Sequence, residues 1–314
     1  MDEIDRIERR LKLHDLRVLM SVVEQGSMAR AAERLATSQP AISRAIAELE
    51  YSLGVRLLDR SPRGVVPTPY GRALIKRSVA VFDELRLGVK DLEFLADPAA
   101  GQVRIAAPVA LAAGFVAAVI DRMARRYPRV VCHLMVGDSP VTFRALEERD
   151  VDLVITRIVP LIGEDYLHAE VLYADSQLVV AATENPWSRR RKVGLADLVN
   201  EPWTLPPLDS AYGSLAVDAF RAAGLELPRA TVITSSGVAR IALVANGKFL
   251  TIAPEFALKF LGWNTAIKAM PIDLPTTRGS VGIVTLKNRT LTPVAQIFID
   301  FAREVAKPMA KRKS

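Results

Sequence analysis

Gln39, Ser43 and Arg44 place an amide, a hydroxyl and a guanidinium within six residues, and those are the groups that hydrogen-bond the edges of base pairs. Ile42, Ile46, Leu49 and Leu53 recur at helical spacing, so a helix here turns them inward and presents Gln39, Ser43, Arg44 and Ala47 on the other side. A merely solvated helix is expected to carry longer Glu and Lys side chains on that side. The outward groups are instead small, polar and basic, which suits close approach to a duplex. A plain three-helix bundle shows the same period, and pattern alone leaves both readings open. Arg60 and Arg63 fall at the tip of an expected hairpin, where Ser61-Pro62-Arg63-Gly64 reads as a turn between two short extended runs. They are placed to meet phosphate or a minor groove, or else are two solvated surface arginines.

A second set of candidates lies at strand-to-helix turns further along. In open α/β sheets, ligands sit beyond the carboxyl ends of strands, near free N–H groups at helix starts. Ala107-Pro108-Val109, Ser139, Arg157 and Ser235-Ser236 meet that description. A guanidinium at a strand end can hold a carboxylate in a bidentate fork; an internal ion pair uses the same group equally well. Each serine has a rival role as a helix N-cap.

Signatures of catalysis are missing. There is no glycine-rich phosphate loop ending in Lys-Ser or Lys-Thr, and Asn246-Gly247-Lys248 reads as a turn. His14, His133 and His168 are scattered, without carboxylates or cysteines at metal-ligand spacing. Cys132 and His133 are neighbours on an expected strand and so point to opposite faces. The single cysteine, beside Val130 and Val131, reads as a buried thiol in a reducing compartment. No enzyme activity, metal or cofactor is expected.

The elements that must position these groups follow from spacing and punctuation. A helix over 16–25 stops at Gly26, a second runs from Met28 to Leu35 with Ser27 as its expected N-cap, and the third begins at Gln39. Pro40 is tolerated in its first turn. From Tyr70 to Leu95 there is no proline, and Ile75, Val79, Phe82, Leu85, Val89 and Leu92 form a seam suited to another helix. That seam predicts self-association. Asp97 to Gly101 breaks the helix and supplies a hinge. Beyond it, strand-like runs alternate with helical ones, which argues for an α/β class with parallel sheet; the basic tail at Lys307, Lys311, Arg312 and Lys313 reads as frayed.

With 314 residues, half hydrophobic and a quarter charged, the chain has room for two or three domains. The formal net charge is +7, which permits an acidic partner. Between Leu16 and Arg77 ten Lys or Arg face five acids, so most of the excess sits in the segment with the duplex-facing helix. Met1-Asp2-Glu3 carries acids where a secretion signal carries bases, and no apolar stretch approaches the length that spans a bilayer. A cytoplasmic protein without membrane partners is expected.

The blocks Gly26-Ser27-Met28-Ala29-Arg30-Ala31-Ala32 and Ser38-Gln39-Pro40-Ala41-Ile42-Ser43-Arg44, followed by Ile46, Leu49-Glu50, Leu53-Gly54, Leu57-Leu58-Asp59-Arg60, Pro67-Thr68 and Gly71, resemble the DNA-binding region of LysR-type transcriptional regulators. Val151-Asp152-Leu153-Val154-Ile155 and Glu201-Pro202-Trp203 extend the likeness more weakly. The resemblance implies a winged helix-turn-helix at 11–69, a linker and dimerisation helix at 70–96, a hinge at 97–101 and an effector-binding domain at 102–314. That last domain is expected to be α/β, similar to type II periplasmic binding proteins, with lobe I at about 102–165 and 271–306 and lobe II at about 166–270. Double-stranded DNA, a small effector and a homodimer or dimer of dimers are the implied partners, with sugar or aromatic-acid uptake or breakdown as the implied setting. Base reading falls to Gln39, Pro40, Ser43 and Arg44, with Ser38 just ahead, and wing contacts to Arg60 and Arg63. Ser38 and Ala45 depart from the frequent threonine and glutamine, and Ala107-Pro108-Val109 lacks the hydroxyl many members offer there. A two-lobed solute-binding protein or a small α/β enzyme is the alternative.

Overall fold

The computed structural model describes residues 11–61, 64–158, 165–255, 258 and 266–310. The chain divides into two compact units, with the division inside one long helix between Val89 and Lys90.

The first unit opens with α1 (Leu13–Gln25), α2 (Met28–Arg34) and α3 (Gln39–Leu53). Val18, Leu19, Val22, Ala31, Ile42, Ile46 and Leu49 form their shared core. Gly26 ends α1 in the left-handed region at φ 62°, which a side chain resists. Ser27 takes the N-cap position of α2, but its side chain makes no capping bond. A hairpin follows, β1 (Leu58–Ser61) against β2 (Gly64–Pro67). Its placement rests on a few polar bonds. Glu50 on α3 accepts the Leu57 and Leu58 N–H groups at 2.7 and 3.1 Å, and Val65 N–H donates to the Gly26 carbonyl at 3.1 Å. Thr68 Oγ1 donates to the Arg56 carbonyl at 2.8 Å and accepts the Gly71 N–H at 3.1 Å. Position 71 must be glycine because a Cβ there would run into the Leu57 carbonyl.

Helix α4 (Pro69–Ala96) is 28 residues long, about 42 Å. Within the first unit Phe82 lies under Arg17, 4.9 Å from guanidinium to ring centre, and Leu74 and Ile75 pack on the three-helix core. Leu85, Val89, Leu92 and Leu95 are exposed.

The second unit holds two sheets. The first runs β4–β3–β5–β12–β6, built from β3 (Ala100–Ala107), β4 (Arg129–Val136), β5 (Leu153–Ile158), β6 (Leu167–Asp175) and β12 (Gly279–Leu286). Strands β4, β3 and β5 are parallel, whereas β12 is antiparallel to both β5 and β6. The expected parallel sheet is therefore mixed, because the chain leaves for a second lobe and returns in the opposite sense. Helices α5 (Val109–Leu111, a π-helical turn Ala112–Val116, then Ala117–Arg126), α6 (Ser139–Glu147) and α9 (Pro293–Ala310) accompany it. Phe115, Val119, Leu153, Ile283, Phe298 and Ala302 are buried together in its core.

The second lobe carries β7 (Gln177–Ala182) between β10 (Thr251–Pro254) and β11 (Ile267–Ala269), and the parallel pair β8 (Trp203–Leu205) and β9 (Ala230–Ile233). A bridge between Trp203 and Leu250 joins the two pieces. Helices α7 (Ala211–Ala222) and α8 (Gly237–Ala245) flank it, with Trp203 and Phe220 edge to face at 5.4 Å in the core.

Three expectations need correction. Residues 167–175, assigned to lobe II, form β6 of the first sheet, so the crossover falls at Ser176 rather than near 166. Lys307 is not in a frayed tail: it sits in the last turn of α9, whose inner side is anchored by Val294, Phe298 and Ala306; residues 311–314 lie outside the described residues. Cys132 is half-buried on the edge strand β4 rather than fully buried, and burial raises its thiol pKa.

Candidate nucleic-acid interface and ligand cavity

The α3 surface is built locally. Ser38 is the N-cap, its Oγ accepting the Ala41 N–H at 3.4 Å, and Pro40 occupies the first turn. Ser38, Gln39, Pro40, Arg44 and Ala47 are exposed and Ser43 is half-buried, while Ile42, Ala45, Ile46 and Leu49 face the core. Among the described residues, the side chains of Gln39, Ser43, Arg44 and Arg60 make no hydrogen bond or ion pair, so their donors and acceptors stay available. Ala45, where glutamine is frequent in the resembling family, is buried in the first unit's own core. Arg60 is exposed on β1, paired across the hairpin with Val65. Arg63 lies outside the described residues.

In the second unit a cavity of about 90 Å³ lies between the first strand-to-helix turn of one lobe and α7, α8 and β10 of the other. Pro108 and Val109 line it, as does Ser235. The other expected residues take different roles. Ser236 is the N-cap of α8, accepting the Ala239 N–H at 3.1 Å. Ser139 begins α6 and is not part of the lining, but its neighbour Asp138 is. Arg157 forms an internal ion pair with Asp175 at 3.4 Å and donates to the Thr277 carbonyl. Gly279 packs so close to this guanidinium that a Cβ would collide with it.

The positive charge in the cavity comes from a residue that sequence reasoning missed. Arg240 on α8 is only 6% exposed and lines the cavity. It donates to the Thr234 carbonyl at 2.8 Å, yet among the described residues no carboxylate pairs with it. Burial lowers its pKa from the ordinary arginine value, with Tyr212 opposing that effect; a guanidinium still stays charged at any physiological pH. The clue in the sequence is a lone arginine inside Val238-Ala239-Arg240-Ile241-Ala242-Leu243-Val244, since charge in so apolar a helix is seldom left without a task. Tyr212 also lines the cavity. Burial, aided by Asp175, pushes its phenol up to about 12, so it is a neutral hydroxyl that can donate. A larger hollow of about 350 Å³ near Phe94, Gly101 and Val294 contains no buried polar side-chain atom lacking a partner among the described residues. Those residues also contain no metal-binding cluster, and no helix long and apolar enough to cross a membrane.

Residues 13–72 match the family described as bacterial regulatory helix-turn-helix protein, lysR family, and residues 96–307 match the LysR substrate binding domain. The transcriptional dual regulator GltC of Bacillus subtilis is 29% identical over 294 residues, 93% of this chain and 96% of that protein. The HTH-type transcriptional regulator GbpR of Azospirillum brasilense is 28% identical over 307 residues, 98% of this chain and 90% of its own length. In fold, the chain is similar to a full-length OxyR variant from Pseudomonas aeruginosa, with a TM-score of 0.68 at 20% identity over 97% of this chain and 99% of that one. The chain belongs to the LysR family of bacterial transcriptional regulators, with a helix-turn-helix unit followed by a LysR substrate-binding unit.

Proposed function

We propose that this regulator reads its operator with the exposed side of α3, Gln39 and Arg44 bonding base edges while Ser38, Pro40 and Ser43 pack close to the groove. Arg60 meets phosphate or the minor groove from the hairpin, a role that the family resemblance also gives to Arg63. The observation that carries this reading is that, among the described residues, the Gln39, Ser43 and Arg44 side chains make no hydrogen bond or ion pair, on a helix whose other side is buried in the core. The exposed Leu85, Val89, Leu92 and Leu95 of α4 support self-association through that helix. Two copies of α3 then enter successive major grooves of an interrupted palindrome. Such a protein works where the chromosome is, in the bacterial cytoplasm.

Effector binding is assigned to the cavity lined by Pro108, Val109, Tyr212, Ser235 and Arg240. Ligand that fills it ties the two lobes together, and any difference in affinity between lobe arrangements biases the DNA-bound form. Arg44→Ala tests the DNA-reading assignment. It should weaken specific operator binding by about 1 to 3 kcal/mol in a fluorescence-anisotropy titration and leave binding to unrelated duplex less affected. Unchanged operator affinity would remove α3 as the reading element.

A further inference from the structure

Two opposite charges share the cavity without neutralising anything. Arg240 forms one wall, nearly enclosed, with no carboxylate partner among the described residues. Asp138 contributes to the lining from the other lobe. It holds the N-cap position of α6, yet its carboxylate makes no capping bond, and no cation among the described residues pairs with it. A carboxylate commonly caps the helix it precedes. Here it is left free at a cavity edge.

The lining between these charges is small and apolar, with Val109, Ala113 and Ile241 among its members, and the hydroxyls of Tyr212 and Ser235 are the neutral polar groups. A buried guanidinium calls for an anion. A ligand that is only an anion would satisfy Arg240 and then face repulsion from Asp138, and a simple cation would meet the reverse. We infer that the effector is a small zwitterion, an α-amino acid or close relative, its carboxylate on Arg240 with help from Tyr212 and Ser235 and its ammonium on Asp138. The inference rests on the effector cavity assigned above and adds the chemical class of its occupant.

The test uses the purified full-length protein and thermal-shift measurements with each of the twenty standard amino acids at millimolar concentration. Each is paired with its 2-hydroxy acid, which lacks the ammonium, and its carboxamide, which lacks the carboxylate. At least one amino acid should raise the melting temperature, because a ligand that binds only the folded state stabilises it by mass action. Both of its analogues should bind at least about tenfold more weakly by calorimetry, a difference of about 1.4 kcal/mol. Asp138→Asn should weaken the amino acid by a similar factor while leaving the hydroxy acid unchanged or tighter. Arg240→Met and Arg240→Lys should each lose the amino acid, with circular dichroism checking that both fold.

If none of the twenty stabilises the protein, the zwitterion assignment is overturned. It is equally overturned if the hydroxy acid binds as well as the amino acid and Asp138→Asn changes nothing while Arg240→Met abolishes binding; the cavity reading then stands. An amino acid that binds regardless of substitutions at both positions overturns the cavity reading as well.

Discussion

Two buried arginines of the second unit have opposite surroundings. Arg289, with its side chain 1% exposed, bonds the Val151 carbonyl at 2.6 Å and the Asp152 carboxylate at 3.0 Å. Asp152 is itself 2% exposed and also accepts from the backbone and side chain of Arg104 on β3. Here charge is neutralised inside the protein, and the group ties the start of β5 to β3 and to the loop after β12. Arg240 is nearly as enclosed but has one carbonyl and no carboxylate among the described residues. That difference between the two buried guanidinium groups, among the described residues, is the ground on which an external anion is proposed at Arg240.

The contrast can be broken most sharply at Asp152. Asp152→Ala removes the buried carboxylate that Arg289 and Arg104 share and should lower stability by about 3 to 5 kcal/mol in urea unfolding followed by circular dichroism; a loss below about 1 kcal/mol would mean that the two guanidinium groups do not depend on this carboxylate. At the other pole, Arg240→Met removes a charge that no carboxylate among the described residues neutralises. Its unfolding free energy should stay within about 1 kcal/mol of the parent or rise, and a large loss would show that Arg240 is structural after all.

The smallest effect is expected on the surface. Glu170 on β6 takes a two-pronged bond from Arg303 on α9 at 2.7 and 2.8 Å, which holds its carboxyl below the ordinary value of 4.5. The stabilisation is complete above that ordinary value and is lost as pH falls through the depressed one. Glu170→Gln should flatten this acid-side loss in urea titrations at successive pH values, by a modest amount because exposed pairs are screened. A steeper acid loss in the variant would reverse the sign argued here.

Helix α3 was legible from residue order because its parts are local. Ile42, Ile46 and Leu49 define the inner side within eight residues, and what remains on the other side is Gln39, Ser43 and Arg44. Glu50, Thr68 and Gly71 were recognisable only as parts of a pattern; coordinates show them holding the hairpin in place. Strand β6 escaped notice because His168 and Glu170 interrupt its apolar residues, and what stabilises it is pairing with β12, more than a hundred residues later.

Helical period, capping and turn chemistry act over a few residues, so this chain's order of amino acids was enough to establish the first unit, the long α4 and the alternation of strands and helices after it. The cavity is different in kind. Its walls come from positions spread between 108 and 254, and whether an arginine there is spent or available depends on which carboxylate the fold brings near it. Arg157 meets Asp175 and Arg240 meets no carboxylate among the described residues. Coulombic pairing depends on distance in space, which spacing along a chain does not specify, and only the tertiary structure could decide between them.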